Sequence, residues 1–178
     1  SRMFQLNSDE SSAHERTWIW EQGLEMLRRS PIIGIGKGSF LISNDTGLIA
    51  HSNYMTNLAE LGLVGFFVWL SILYFTFKGL NSVHLRFERL ETKDENEVVL
   101  HVLSMGLFWG LLAFSFATFF VTMELDVIYA WWGLCAAAVN ITAKKKSNSE
   151  ISVKFKDMLS IFALMLFIIF LIYWISRK

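Results

Sequence analysis

Four apolar runs constrain this chain more than any motif does: Leu58 to Leu80, Val98 to Met123, Val127 to Ala143 and Met158 to Ile175. A helix of about 20 mostly apolar residues crosses a hydrocarbon core of about 30 Å. The first run carries only Glu60 and Lys78 near its ends, and the second has His101 near its start. The third is shorter, with Asn140 near its end, and the fourth holds no charge at all. In lipid the backbone must satisfy its own polar groups, which leaves helices or closed barrels. None of the runs alternates as a barrel strand does, so the expected fold is all-α. It is a polytopic membrane protein, with a helical loop outside the cytoplasm (residues 1 to 57) followed by three or four transmembrane helices (58 to 178).

The connections suggest an orientation. Asn81 to Glu97 is short and charged, with Arg86, Arg89 and Lys93, and holds His84. A second basic connection has Lys144, Lys145, Lys146, Lys154 and Lys156. Short loops dense in Lys and Arg stay in the cytoplasm. The turn Glu124-Leu125-Asp126 has no basic residue and reads as outside, and residues 1 to 57 then lie outside too. One conflict follows. Four crossings that start outside end outside, yet the tail is Arg177-Lys178. Either the charge rule yields at that end or the fourth segment does not cross.

Composition excludes several function classes. The 16 basic and 16 acidic residues of 178 cancel, which removes the electrostatic case for a nucleic-acid partner. A single cysteine, Cys135, permits no internal disulfide, and no cluster of residues has metal-ligand spacing. Neither a metal nor a cofactor is expected.

The outer region has organisation of its own. Ser12-Ala13-His14-Glu15 fits a capping box, so a helix is expected from about 12 to 29. Trp20, Leu24 and Leu27 give it an apolar face, and Arg28 and Arg29 suit its negative C-terminal end. Ser30-Pro31 stops it, because the residue before proline avoids the helical region. The stretch Gly34-Ile35-Gly36-Lys37-Gly38-Ser39 follows. It matches neither standard phosphate-loop pattern and no strand–helix unit surrounds it, so a tight turn is the plainer reading. Its amides and Lys37 still suit an anion.

His51-Ser52-Asn53 then stands at the mouth of the first apolar run. Ser52 or Asn53 fits a helix cap. His51 and Gly62 lie eleven residues apart, about three helical turns, and share a face if the helix starts near His51. A glycine there admits a close neighbouring helix.

These residues resemble the O-antigen ligase and polymerase superfamily. His51 and Gly62, with ten residues between them, are similar to its His-containing signature. Arg16, Trp20, Pro31, Gly34, Gly36, Gly38 and Phe40 resemble its outer-loop pattern in order and spacing. The resemblance covers about residues 12 to 70, and the later helices only by hydropathy. It implies a bacterial glycosyltransferase, multi-pass in the cytoplasmic (inner) membrane, with its site on the extracytoplasmic side. The donor is a glycan on a polyprenyl diphosphate such as undecaprenyl diphosphate, and the acceptor is a glycan, a lipid core or a protein hydroxyl. Members are described as needing no metal ion.

On that implication His51 is the general base or the group that orients the acceptor. Arg16 stabilises the departing diphosphate. Arg28, Arg29, Lys37, Asn53 and Glu60 are candidates for substrate binding. Each also has a plainer reading: helix-dipole partners for the two arginines, a cap for Asn53, interfacial pairing for Glu60. Family members have about a dozen spans, so these residues look like the C-terminal part of such an enzyme, partnered by further membrane helices N-terminal to them, and are expected to be inactive alone. The rival classes are a non-catalytic membrane subunit and a transporter fragment. A transporter favours broken helices and polar groups at mid-membrane.

Overall fold

The computed structural model describes residues 2–45, 47–90, 94–122, 126–144 and 153–177, with side chains described for 15–45, 47–90, 94–122, 128–141 and 153–177. Among these residues every regular element is a helix: α1 (Arg2–Arg29), α2 (Phe40–Ser43), α3 (Asn53–Glu88), α4 (Glu95–Phe120), α5 (Asp126–Lys144) and α6 (Phe155–Ser176). Three of them, α3, α4 and α6, are long and apolar enough to cross a membrane, and α5 contributes a shorter apolar stretch, Ile128–Ile141. The expected all-α membrane architecture is what the chain adopts. Lys93, Lys145, Lys146, Glu124 and Leu125 lie outside the described residues, as do the side chains of Ser12, His14, Asp126 and Lys144.

Three boundaries differ from the sequence reading. The first helix begins at Arg2, so Ser12–Glu15 lies inside it. A capping-box pattern marks a start only where the preceding residues leave the helix, and here they continue it. At its far end α3 runs to Glu88, so His84 and Arg86 sit on a helix and not in a loop. Nothing in Asn81–Arg86 breaks a helix, and charge alone does not end one. The fourth apolar run is a 22-residue helix, about 33 Å long at 1.5 Å per residue.

The chain divides into two compact units. The first holds Ser1–Leu70, Thr118–Thr122 and Leu159–Lys178. It gathers α1, α2, the first half of α3, the end of α4 and all but the first turn of α6. Most of α6 thus lies in the same unit as α1. Its core includes Ile19, Trp20, Met26, Phe40, Met55 and Phe66. Trp20 and Tyr54 both set ring contacts on Phe119, at 5.8 and 5.4 Å between centroids.

The second unit holds Ser71–Ala117 and Met123–Met158. Leu80, Leu107, Cys135 and Ala138 form its buried cluster, with Leu100, Phe108 and Trp131 packed around it. A Cβ on Gly110 would collide with the Trp131 ring, so the glycine is what lets that indole lie against α4. Asp157, in the first turn of α6, binds Lys78 and Tyr74 of α3 at 2.6 and 3.1 Å and caps its own helix through the Lys154 amide at 2.8 Å.

Candidate functional site

The organising feature of the first unit is a break in α3. Gly62 has φ 65° and ψ −171°, far from helical values. An unbroken helix would pair the Leu63 and Val64 amides with the Ala59 and Glu60 carbonyls. Here those four groups turn to the loop after α1. The carbonyls of Pro31 and Ile32 accept from Leu63 and Val64 at 2.8 and 3.2 Å, and the amides of Ile35 and Gly36 donate to Ala59 and Glu60 at 3.1 and 3.0 Å. Residues 31 to 36 are inserted into the ladder of a membrane helix, and the irregular backbone there has its polar groups met.

Only glycine permits this. A Cβ on Gly34 would meet the Glu60 carbonyl and the Gly62 amide, and a Cβ on Gly62 would meet the Gly34 amide and the Ile32 carbonyl. Both residues also have left-handed φ, near 70°. The expectation that His51 and Gly62 share a face of one helix is thus corrected. His51 precedes the helix with φ 49°, and the helix breaks at Gly62. The close approach that Gly62 allows is to a loop, not to a neighbouring helix.

Glu60 is tied to the same loop. Its carboxylate is 4% exposed, 3.0 Å from the Lys37 ammonium, and accepts the Phe40 amide at 3.1 Å, which starts α2. Lys37 also reaches the Asn57 side-chain oxygen at 3.4 Å. The ammonium is half in solvent, so the carboxylate is the desolvated partner of the pair.

Beyond α2, Asn44 ties the turn back on itself. Its side-chain amide donates to the Phe40 and Leu48 carbonyls at 2.8 and 2.9 Å, and its oxygen accepts the Leu48 amide at 3.2 Å. Gln22 of α1 accepts the Asp45 amide at 2.9 Å. The loop so held delivers Ala50, whose carbonyl accepts the Trp20 indole N–H at 2.8 Å. His51 follows, half-buried, and Ser52 caps α3: its hydroxyl accepts the Met55 amide at 3.3 Å and its carbonyl the Thr56 amide at 3.0 Å. The cap is Ser52, and Asn53 is the first helical residue, 2% exposed.

Arg16 sits one turn before Trp20 on the same stripe of α1, about 6 Å along the axis. That stripe faces inward through Trp20 and Gly23, where a Cβ on Gly23 would strike Met55. Arg16 is exposed at its outer end, and among the described residues no carboxylate pairs with it and no hydrogen bond holds the His51 imidazole. Arg28 and Arg29 are three turns further on, and both pair with Glu25, at 3.5 and 3.6 Å. The structure fixes the backbone next to His51 to Trp20, one helical turn along α1 from Arg16. It gathers Lys37, Glu60 and Asn57 around the break, and holds Arg28 and Arg29 on other faces of α1. Asn44 and Asn57 carry roles that the sequence reading missed, while the cap falls on Ser52, one of the two residues named for it; buried Asn on an otherwise apolar stretch was the available signal. Among the described residues no group of His, Cys, Asp and Glu could hold a metal ion.

Comparison with known proteins bears on this same region. The family model described as O-antigen ligase matches residues 1–70. The matched residues contain α1, the inserted loop, His51 and the break at Gly62. Over 134 residues the chain is 27% identical to an exopolysaccharide production protein, ExoQ, of Rhizobium meliloti (strain 1021). That match covers 67% of the chain and spans 28% of the relative's length. No solved structure matches the chain.

Proposed function

We propose that this chain carries the acceptor-activating part of a glycosyltransferase site at the outer face of the bacterial cytoplasmic membrane. The donor is a glycan on a polyprenyl diphosphate. The acceptor hydroxyl attacks the anomeric carbon, the bond from that carbon to the diphosphate oxygen breaks, and the diphosphate leaves with the electron pair. His51 takes the hydroxyl proton or orients the acceptor, and Arg16 meets the charge growing on the diphosphate. The likeness to an exopolysaccharide production protein favours polymerisation of repeat units over ligation to a lipid core or to a protein.

One observation carries this reading. The Trp20–Ala50 hydrogen bond pins the backbone beside His51 against the helix that bears Arg16. A non-glycine residue at φ 49° costs about 1 kcal/mol or more and persists where its surroundings impose it. Lys37 and Glu60 serve the reading less directly, because each is engaged by the other.

A broken membrane helix is also a transporter feature. In transporters the freed backbone groups hold substrate or ion. Here the loop takes all four, which favours the transferase over the transporter.

The test is glycan transfer from a defined polyprenyl-diphosphate donor by the complete enzyme in proteoliposomes. His51→Ala is expected to lower turnover by about 10²- to 10⁴-fold, the usual span for a lost general base. Arg16→Ala is expected to lower it comparably, with Arg16→Lys recovering part. Turnover unchanged in both variants at equal protein level would refute the transferase assignment and leave the scaffold reading.

A further inference from the structure

A groove in the first unit, between α1 and α6, is unrelated to the His51 region. Its inner part has a volume of about 300 Å³ and is lined by Leu24, Leu27, Leu166, Ile169 and Phe170. Its outer part, about 340 Å³, is lined by Glu21, Gln22, Glu25, Arg28, Ser176 and Arg177, with Glu25 paired to Arg28. Leu24, Arg28 and Tyr173 line both, so the groove is continuous. It is apolar at one end and carries charges of both signs at the other.

The register along α6 matches a bilayer leaflet. From Ser176 back to Leu166 is ten residues, about 15 Å of helix, which is about half of a 30 Å hydrocarbon core. Ser176 and Arg177 end a membrane-spanning helix and so lie at headgroup depth, while Leu166, Ile169 and Phe170 lie at acyl-chain depth. The polar end thus meets the layer where phosphates are, and the apolar end meets the layer where chains are.

The charges narrow the occupant. The Arg177 guanidinium lies 4.9 Å from the centre of the Tyr173 ring, held at the groove wall. Arg28 shares Glu25 with Arg29 and is otherwise open to solvent. Glu21 lines the same end, exposed. Two guanidiniums suit a phosphate, and a carboxylate beside them suits an ammonium group. An anionic headgroup without an amine would leave Glu21 facing negative charge.

We propose that the α1/α6 groove is a binding site for one molecule of a diacyl aminophospholipid, phosphatidylethanolamine in chemical class. Its phosphate lies between Arg28 and Arg177, its ammonium on Glu21, and one acyl chain along Leu27, Ile169 and Phe170. The site is independent of the transferase reading, since it uses neither His51 nor Arg16.

Native mass spectrometry of the protein released from nanodiscs of phosphatidylethanolamine or phosphatidylglycerol tests it. One retained phosphatidylethanolamine is expected, held at least several-fold more than phosphatidylglycerol. Glu21→Gln should erase the preference, and Arg28→Gln with Arg177→Gln should remove retention of both lipids. A photo-reactive residue in place of Phe170, in an otherwise unchanged protein, should give a lipid adduct. Equal retention of the two lipids, retention unaltered by the arginine pair, or an adduct to protein (a segment of the same polypeptide or a second copy) would overturn the proposal.

Discussion

The two units solve the same problem, holding helices together where water is scarce, by different means. The first relies on directed polar and backbone contacts. Its loop is threaded into a helix by four main-chain hydrogen bonds, and Asn44, Asn57 and Glu60 are buried within it. The second relies on apolar contact around Leu80, Leu107, Cys135 and Ala138, with Asp157–Lys78 as a polar tie. Lipid-like surroundings give little hydrophobic drive between helices, so the second unit is expected to tolerate change in proportion to volume. The first unit is specified atom by atom and is expected to fail at single positions. The difference teaches where precision is placed: beside the segment that carries His51.

The sharpest way to break that contrast is to add one methyl group. Gly62→Ala or Gly34→Ala puts a Cβ against backbone atoms that cannot rotate away, on top of a left-handed φ. The expected cost is about 3 kcal/mol or more, read as loss of the folded protein from membranes and a fall in Tm in detergent. Gly38→Ala is the control. Its φ is 80° but a Cβ there meets nothing within 4 Å, so only strain of about 1 kcal/mol is expected. Equal effects at Gly38 and Gly62 would mean that the loop is not threaded through α3.

Glu60 offers the next largest effect and separates charge from hydrogen bonding. Glu60→Gln keeps an acceptor for the Phe40 amide and removes the partner of Lys37, whose ammonium water can take over. About 1 kcal/mol is expected. Glu60→Leu also strands the buried Phe40 amide, for about 1 to 3 kcal/mol more. Thermal unfolding of the two variants in one detergent gives the comparison directly.

These positions also show how far the sequence could be read. The membrane helices were legible because apolar length is a local property, whereas the extension of α3 to Glu88 and its break at Gly62 were not. Of the residues that carry the resemblance, Trp20, Pro31, Gly34, Gly36, Phe40 and Gly62 take part in the inserted loop and its supports. Their jobs were not legible. Gly34 and Gly62 need glycine because they touch each other across 28 residues of chain, and Pro31 and Gly36 matter through a carbonyl and an amide, which every residue type supplies alike. Lys37 and Glu60 looked like groups awaiting a ligand because nothing in one dimension shows that they face one another. Only Trp20, with its single donor, carried a hint of its role: a buried indole N–H has to find an acceptor.

Trp20 therefore provides a milder test that joins stability to function. Trp20→Phe keeps an aromatic ring against Phe119 and deletes the donor to the Ala50 carbonyl. About 1 to 2 kcal/mol of stability is expected to go. On the proposed function, turnover should fall further than folded protein does, because the backbone beside His51 is released. Transfer that tracks protein level alone would confine Trp20 to packing.

The smallest effect belongs to the other unit and carries the opposite sign. Gly106 lies inside α4 in open space, where a Cβ meets nothing within 4 Å. Glycine within a helix costs about 0.5 to 1 kcal/mol relative to alanine. Gly106→Ala is accordingly expected to raise the Tm slightly, although one methyl is added here as at Gly62. The two substitutions together isolate what the methyl group encounters, since residue types and size change are identical. A clear loss at Gly106 would mean that another helix packs closely on this face of α4 in the membrane, and the second unit would then hold a contact as exacting as the first.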